Sequence, residues 1–276
     1  MKLIAFFSSF CDGNTQPEII IRVHQLLNSK RYNKDYKFVK NTEYYTHAII
    51  LNTAMPKLNI PKENVIGLAF EPIQYLGLTD KFIKYAKDNI GKYYIGDYIE
   101  KLGKPFIQHY SYMHFWYPLS DIKEKTKIMS IMVSDKKSAP GHKFRHFLVN
   151  SILKTNLPID IWGRGCLLYK NDYRIKGKFE NSEPYYNYKF HICIENFQTN
   201  HYFSEKISTT LMHKTTPIYW GCKNIDNYFP NNIIQLSGNI TNDMKLLLDI
   251  IKNPNKYQKN IDIEKVKKTL SIENII

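Results

Sequence analysis

No stretch of this sequence is apolar for long enough to cross a bilayer. The best candidate, VIGLAFEPIQYLGL, is interrupted by Glu71 and Pro72, whereas a spanning helix needs about 20 consecutive apolar residues. The N-terminal MKLIAFFSSF lacks a small-residue cleavage pattern and reads as a first strand rather than a signal peptide. The expectation is a soluble, cytoplasmic protein. Cysteine is scarce as well: four residues, at 11, 166, 193 and 222, with no close pair. That spacing argues against a zinc site or a redox dithiol and suits a reducing compartment. Cys193 lies inside an apolar run and reads as a buried thiol. Neither a repeat period nor a low-complexity tract stands out.

Acidic residues are outnumbered, 25 Asp and Glu against 39 Lys and Arg, for a net charge of +14. Such a balance favours anionic partners. The lysines are scattered along the chain, and no basic stripe with interleaved aromatics or known nucleic-acid motif accompanies them. A solvated lysine surface is the simpler reading. A basic nucleic-acid-binding protein is therefore the alternative of a different class. The lysine-rich C-terminal segment leaves room for peripheral membrane contact.

What the chain does have is a rhythm. At 276 residues, 43% of them hydrophobic, it suits two compact domains. In the first half, strands are predicted at 3–8, 46–52, 64–70 and around YYIGD. Helices are predicted over EIIIRVHQLLNSK (18–30), where Ile19, Val23, Leu26 and Leu27 have helical spacing, and over KFIKYAKDNI. The aromatic run at 110–117 reads mostly as core, with one or two rings at the site. A charged stretch, SDIKEKTK (120–127), reads as a linker. The rhythm then restarts: strands at 128–133, 159–163, HICIEN, TPIYWG and NIIQL, and helices over HKFRHFLVNSILK, SEKISTTLMHK, NDMKLLLDIIKN and the lysine-rich end. In the first of these helices Phe144, Phe147, Leu148 and Ile152 are expected on one face. Two such βαβ halves predict an α/β fold with mainly parallel sheets, residues 1–120 forming one domain and 128–276 the other. Ligands then belong at the carboxyl ends of the strands.

Chemistry gathers at IENFQTNHYFSEKISTTLMHKTTPIYWG, residues 194–221. Glu195 and Asn196 end a strand. Ser204 sits where a helix N-cap would, with Glu205 and Lys206 in the first turn and Ile207, Thr210, Leu211 and Phe203 facing inward. A helix N-terminus with a lysine suits an anion. Glu205 suits a sugar or ribose hydroxyl better, so the expected ligand is part diphosphate and part polyol.

These residues resemble the donor-binding signature of glycosyltransferase family 10, the α-1,3/4-fucosyltransferases. Here the signature reads FHICIEN, then YFSEKI, then PIYWG, and the likeness covers roughly residues 188 to 230 well. SDKKSAPGHKFRHFL resembles the family's strand, loop and arginine-bearing helix. The N-terminal half matches in layout and at one position. The resemblance implies a GT-B fold, two Rossmann-like domains facing a cleft, with the acceptor side in the first and the nucleotide sugar in the second. It implies an inverting transfer of fucose from GDP-fucose to a glycan hydroxyl, with no metal and no cofactor beyond the donor substrate. The absence of an Asp-x-Asp motif agrees. Carried over, Arg145, Lys206 and Tyr202 contact the diphosphate, Glu205 binds ribose or sugar hydroxyls, and Glu195 and Asn196 shape the pocket. Glu71, after VIGLAF, is the general base, its pKa raised by apolar surroundings. No membrane anchor precedes the domains, which resembles the soluble bacterial or a viral form. Phe197 replaces the usual serine after Glu-Asn, leaving another nucleotide sugar as an alternative donor.

Two further motifs are weaker. His142 and His146 lie four apart on one helix face, yet no third metal ligand is visible. Gly163-Arg164-Gly165 resembles the start of a dinucleotide fingerprint without its third glycine, and a tight turn explains it.

Overall fold

A computed structural model describes residues 1–8, 35–97, 100–111 and 124–276. The chain divides into two compact units, Met1–His114 with Thr199–Tyr202 and Ser271–Ile276, and Phe115–Gln198 with Phe203–Leu270. The helix expected at 18–30, Cys11 and most of the aromatic run lie outside the described residues.

The first unit holds β1 (Lys2–Ser8), β2 (Tyr36–Val39), β3 (His47–Leu51), β4 (Val65–Leu68), β5 (Lys92–Ile95) and β6 (Phe106–Gln108) in the order β2-β1-β3-β4-β5-β6. Every ladder is parallel. Strands buried on both faces read as unbroken apolar runs, and that is why HAIIL and VIGL were legible. Helix α1 (Asp80–Asn89) starts where the Thr79 hydroxyl accepts the N–H of Phe82 at 3.2 Å, and it buries Phe82 and Ala86. These join Ala48, Ile50, Val65, Tyr93 and Ile95 in the core. Strand β2 was not predicted. It is four residues long, with lysine and asparagine on both sides, and it takes its place through Phe38 packing on Phe6.

The second unit holds β7 (Lys127–Met132), α2 (Pro140–Leu153), β8 (Ile159–Trp162), β9 (Ile175–Gly177), β10 (Tyr188–Ile194), α3 (Glu205–Met212), β11 (Thr216–Trp220), β12 (Ile234–Gln235), α4 (Ile240–Lys252) and α5 (Ile263–Leu270). Its sheet runs β12-β11-β10-β7-β8-β9, again all parallel. The strand order reverses between β7 and β10, which makes their carboxyl ends the switch point of this sheet. The edge strand β9 was also missed. Its sequence, IKG, carries one large apolar residue.

Two expectations need correction. In α2 the inward residues are Phe144, Leu148, Val149 and Ile152, whereas Phe147 is 61% exposed. Phe147 lies one position off the stripe set by Phe144 and Leu148, about 100° around the helix. The stretch read as a linker is described from Glu124, and there it is anchored. Lys125 Nζ donates to the carbonyls of Tyr186 (2.9 Å) and His213 (2.7 Å) and to Thr215 Oγ1 (2.8 Å). Burial pushes its ammonium down to about 8. Gly163 takes φ 107 beside β7, where a Cβ would stand 2.4 Å from the Val133 carbonyl oxygen. It serves a tight turn, as its spacing suggested.

Candidate active site

Glu195 follows β10 directly and is fully buried. Its carboxylate accepts the backbone N–H of Ser204 at 2.9 Å and the Ser204 hydroxyl at 2.7 Å. Ser204 in turn caps α3, accepting from the N–H of Lys206. The strand end is thereby latched to the helix start. Two glycines make room for the latch. A Cβ on Gly141 would stand 1.7 Å from the Glu195 carbonyl oxygen, and one on Gly221 would stand 2.4 Å from Glu195 Cγ.

Lys206 Nζ lies 2.9 Å from Glu205 Oε1, 2.9 Å from Ser204 Oγ and 3.4 Å from Glu195 Oε2. Its side chain is 16% exposed, and that of Glu205 is 26%. Burial works to raise the Glu205 carboxyl, but the Lys206 charge and hydrogen bonds from Lys206 and Ser204 outweigh it and leave it below the usual range. Burial works to lower the Lys206 ammonium, Glu205 and Glu195 raise it, Arg145 lowers it, and the net shift is upward. Lys206 is therefore a firmly held cation.

The second cation comes from α2. Arg145 Nη2 donates to Asn196 Oδ1 at 2.7 Å, and the Asn196 carbonyl accepts the N–H of Gly141 at 3.0 Å. Arg145, Asn196, Glu195, Ser204, Glu205 and Lys206 thus form one connected constellation at the switch point. At the N-terminus of α3 the Ser204 side chain takes one first-turn N–H, that of Lys206, and Lys206 and Arg145 add two side-chain cations.

His142 is the site residue that sequence reasoning missed. It is buried near the start of α2, and its Nδ1 accepts the N–H of Ala139 at 3.2 Å. That bond places the ring proton on Nε2. Burial, together with Arg145, Lys136 and Lys206, pushes its pKa down to about 4, against a hydrogen bond with Asn196. Its signal in the sequence was the i, i+3 spacing to Arg145, which puts both on one face. Pairing it with His146 instead looked toward a metal. His146 turns elsewhere, to Tyr169 Oη and the Lys136 carbonyl. Among the described residues no group of three or more His, Cys, Asp or Glu is arranged to hold a metal ion.

Glu71 and Tyr202 belong to the first unit. Glu71 follows β4 and is half-buried; Tyr202 is buried and packs near Gly96. No described helix is long and apolar enough to cross a membrane.

The family model described as "Glycosyltransferase family 10 (fucosyltransferase) C-term" matches residues 122–269, more than half of the chain. The chain belongs to glycosyltransferase family 10. The matched span contains the entire Arg145–Lys206 constellation. A fucosyltransferase-like protein of Arabidopsis thaliana is 28% identical over 112 residues, which is 41% of this chain and 20% of that protein. The match therefore spans about a fifth of that relative's length. A solved α1,3-fucosyltransferase superposes with a TM-score of 0.58 at 17% identity, covering 99% of this chain and 87% of that one. The same enzyme type with GDP-fucose gives 0.55, with 98% and 88% covered at 17% identity. A T4 phage BGT mutant in complex with UDP-glucose gives 0.53 at 11% identity, with 97% and 95% covered. At these identities the structures speak to fold alone, and the fold class is GT-B.

Proposed function

We propose that this family 10 chain transfers fucose from GDP-fucose to a glycan hydroxyl, with inversion at the anomeric carbon. The observation that carries the reading is the joining of Arg145 and Lys206 through Asn196, Glu195 and Ser204 at the carboxyl end of β10. Two held cations suit a diphosphate, and both lie in the span matched to a fucosyltransferase family. Glu205 takes a ribose or sugar hydroxyl, Glu195 and Asn196 hold the pocket's shape, and Tyr202 borders the diphosphate.

In the reaction the acceptor hydroxyl gives its proton to the Glu71 carboxylate, and its oxygen forms the new bond to the anomeric carbon. The bond from that carbon to the diphosphate oxygen breaks, and the electron pair leaves with GDP. Arg145 and Lys206 neutralise the charge that develops there, the part a divalent cation plays in other transferases. Donor substrate apart, the reading needs no cofactor and no metal.

The T4 phage structure of the same fold class is a complex with UDP-glucose, so a different nucleotide sugar is the second reading. A thermal-shift panel of GDP, UDP, CMP and their sugar conjugates, with EDTA and then with manganese, tests both. A ligand at 100 times its Kd adds about 2.7 kcal/mol. Stabilisation by GDP and GDP-fucose in EDTA supports the proposal. A UDP preference moves the donor, a manganese requirement removes metal independence, and no response from any nucleotide overturns the reading.

A further inference from the structure

The first sheet has a switch point of its own, between β1 and β3, and Asn52 stands at the carboxyl end of β3. The residue is fastened on several sides. Its backbone N–H donates to the Leu68 carbonyl at 2.8 Å, its own carbonyl accepts the Tyr93 hydroxyl at 2.8 Å, and its Oδ1 accepts the N–H of Phe70 at 2.9 Å. Its φ of 54 is left-handed, a conformation asparagine tolerates better than most residues. The Phe70 bond fixes which end of the amide is oxygen. Nδ2 is then the other end, and it is buried without a hydrogen-bond acceptor.

An orphaned amide donor costs stability, and two of the other polar groups of Asn52, its N–H and its Oδ1, grip the end of β4 through Leu68 and Phe70. The residue that follows Phe70 is Glu71. The hydroxyl of Ser111 donates to the Ala69 carbonyl as well, so the segment entering Glu71 is held from two directions. We propose that Asn52 is the positioning residue for the Glu71 carboxylate: its Nδ2, which has no acceptor in this structure, donates to a Glu71 carboxylate oxygen once the acceptor substrate is bound. The proposal rests on the reading of Glu71 as the base.

N52D tests it. The change is isosteric, keeps an oxygen for the Phe70 N–H, removes both Nδ2 protons and sets a second negative charge toward Glu71. At pH 7 it is expected to lower the Tm by about 2–4 °C beyond any loss it causes in the E71Q background. With GDP-fucose as donor, kcat is expected to fall at least tenfold with donor KM unchanged, and the acidic limb of the pH profile to move up by about one unit. Equal Tm losses in both backgrounds, with an unmoved acidic limb, would overturn the proposal. If N52D does not fold, N52G keeps the left-handed backbone and lacks the amide; transfer at the wild-type rate in N52G would overturn it too. The base reading fails separately, if E71Q alone retains transfer, and the coupling between positions 52 and 71 still decides the contact.

Discussion

Glu195 and Ser204 are nine residues apart and meet through two hydrogen bonds, one to the Ser204 N–H and one to its hydroxyl. The pairing explains why a carboxylate can sit fully buried at a strand end. Its charge is met by two donors and by Lys206 at 3.4 Å, so the carboxylate holds the start of α3, and with it Lys206, against the end of β10. E195Q keeps one acceptor oxygen and removes the charge. It should cost about 1.5–3 kcal/mol of stability, read by chemical unfolding, while donor affinity below the melting transition falls less than in K206A. A donor-affinity loss equal to that of K206A would make Glu195 a direct ligand instead.

K206A removes a cation that Glu205 and Ser204 hold in place. Transfer should fall about 10²–10³-fold, the scale for losing one group that stabilises transition-state charge. The thermal stabilisation by GDP should drop with it. Unchanged GDP stabilisation would show that the diphosphate lies elsewhere.

Much of this arrangement was legible in the sequence, for physical reasons. Strands buried on both faces declare themselves as apolar runs, so β1, β3, β4, β7, β10 and β11 were placed within a few residues. Edge strands β2 and β9 are half-polar and did not declare themselves. Ser204 before Glu205 and Lys206 carried the capping signal of α3. The hydrogen bond of Arg145 to Asn196 joins residues 51 apart, which no local pattern encodes; the resemblance named both as site residues but not their pairing. Asn52 read as the last residue of the strand predicted at 46–52; only its burial and its orphaned amide set it apart.

E71Q separates the base from the donor site. The neutral amide cannot take the acceptor proton, so transfer should fall by about 10²–10⁴-fold. GDP stabilisation should match that of the unaltered protein, since Arg145 and Lys206 are untouched. Loss of both together would mean that the substitution disturbs the fold.

The buried histidines set the acid limit of the fold. The Ser130 hydroxyl donates to the Pro184 carbonyl and so accepts from His191 Nδ1 at 2.7 Å. Burial pushes His191 down to about 3 and His142 down to about 4, from an ordinary 6.5. Unfolded, both rings take up a proton below 6.5; folded, they resist it. Stability should therefore fall as pH drops from 6.5 toward 4, by up to about 1.4 kcal/mol per pH unit for each histidine. Glu205 acts in a lower window. Its folded pKa lies below 4.5, so the stability it adds is present above that value and is lost only as pH falls beneath it. Unfolding curves between pH 7 and 4.5 isolate the histidines. H142N should flatten the slope there by one ring's share, and an unchanged slope would mean that His142 is already protonated in the folded protein.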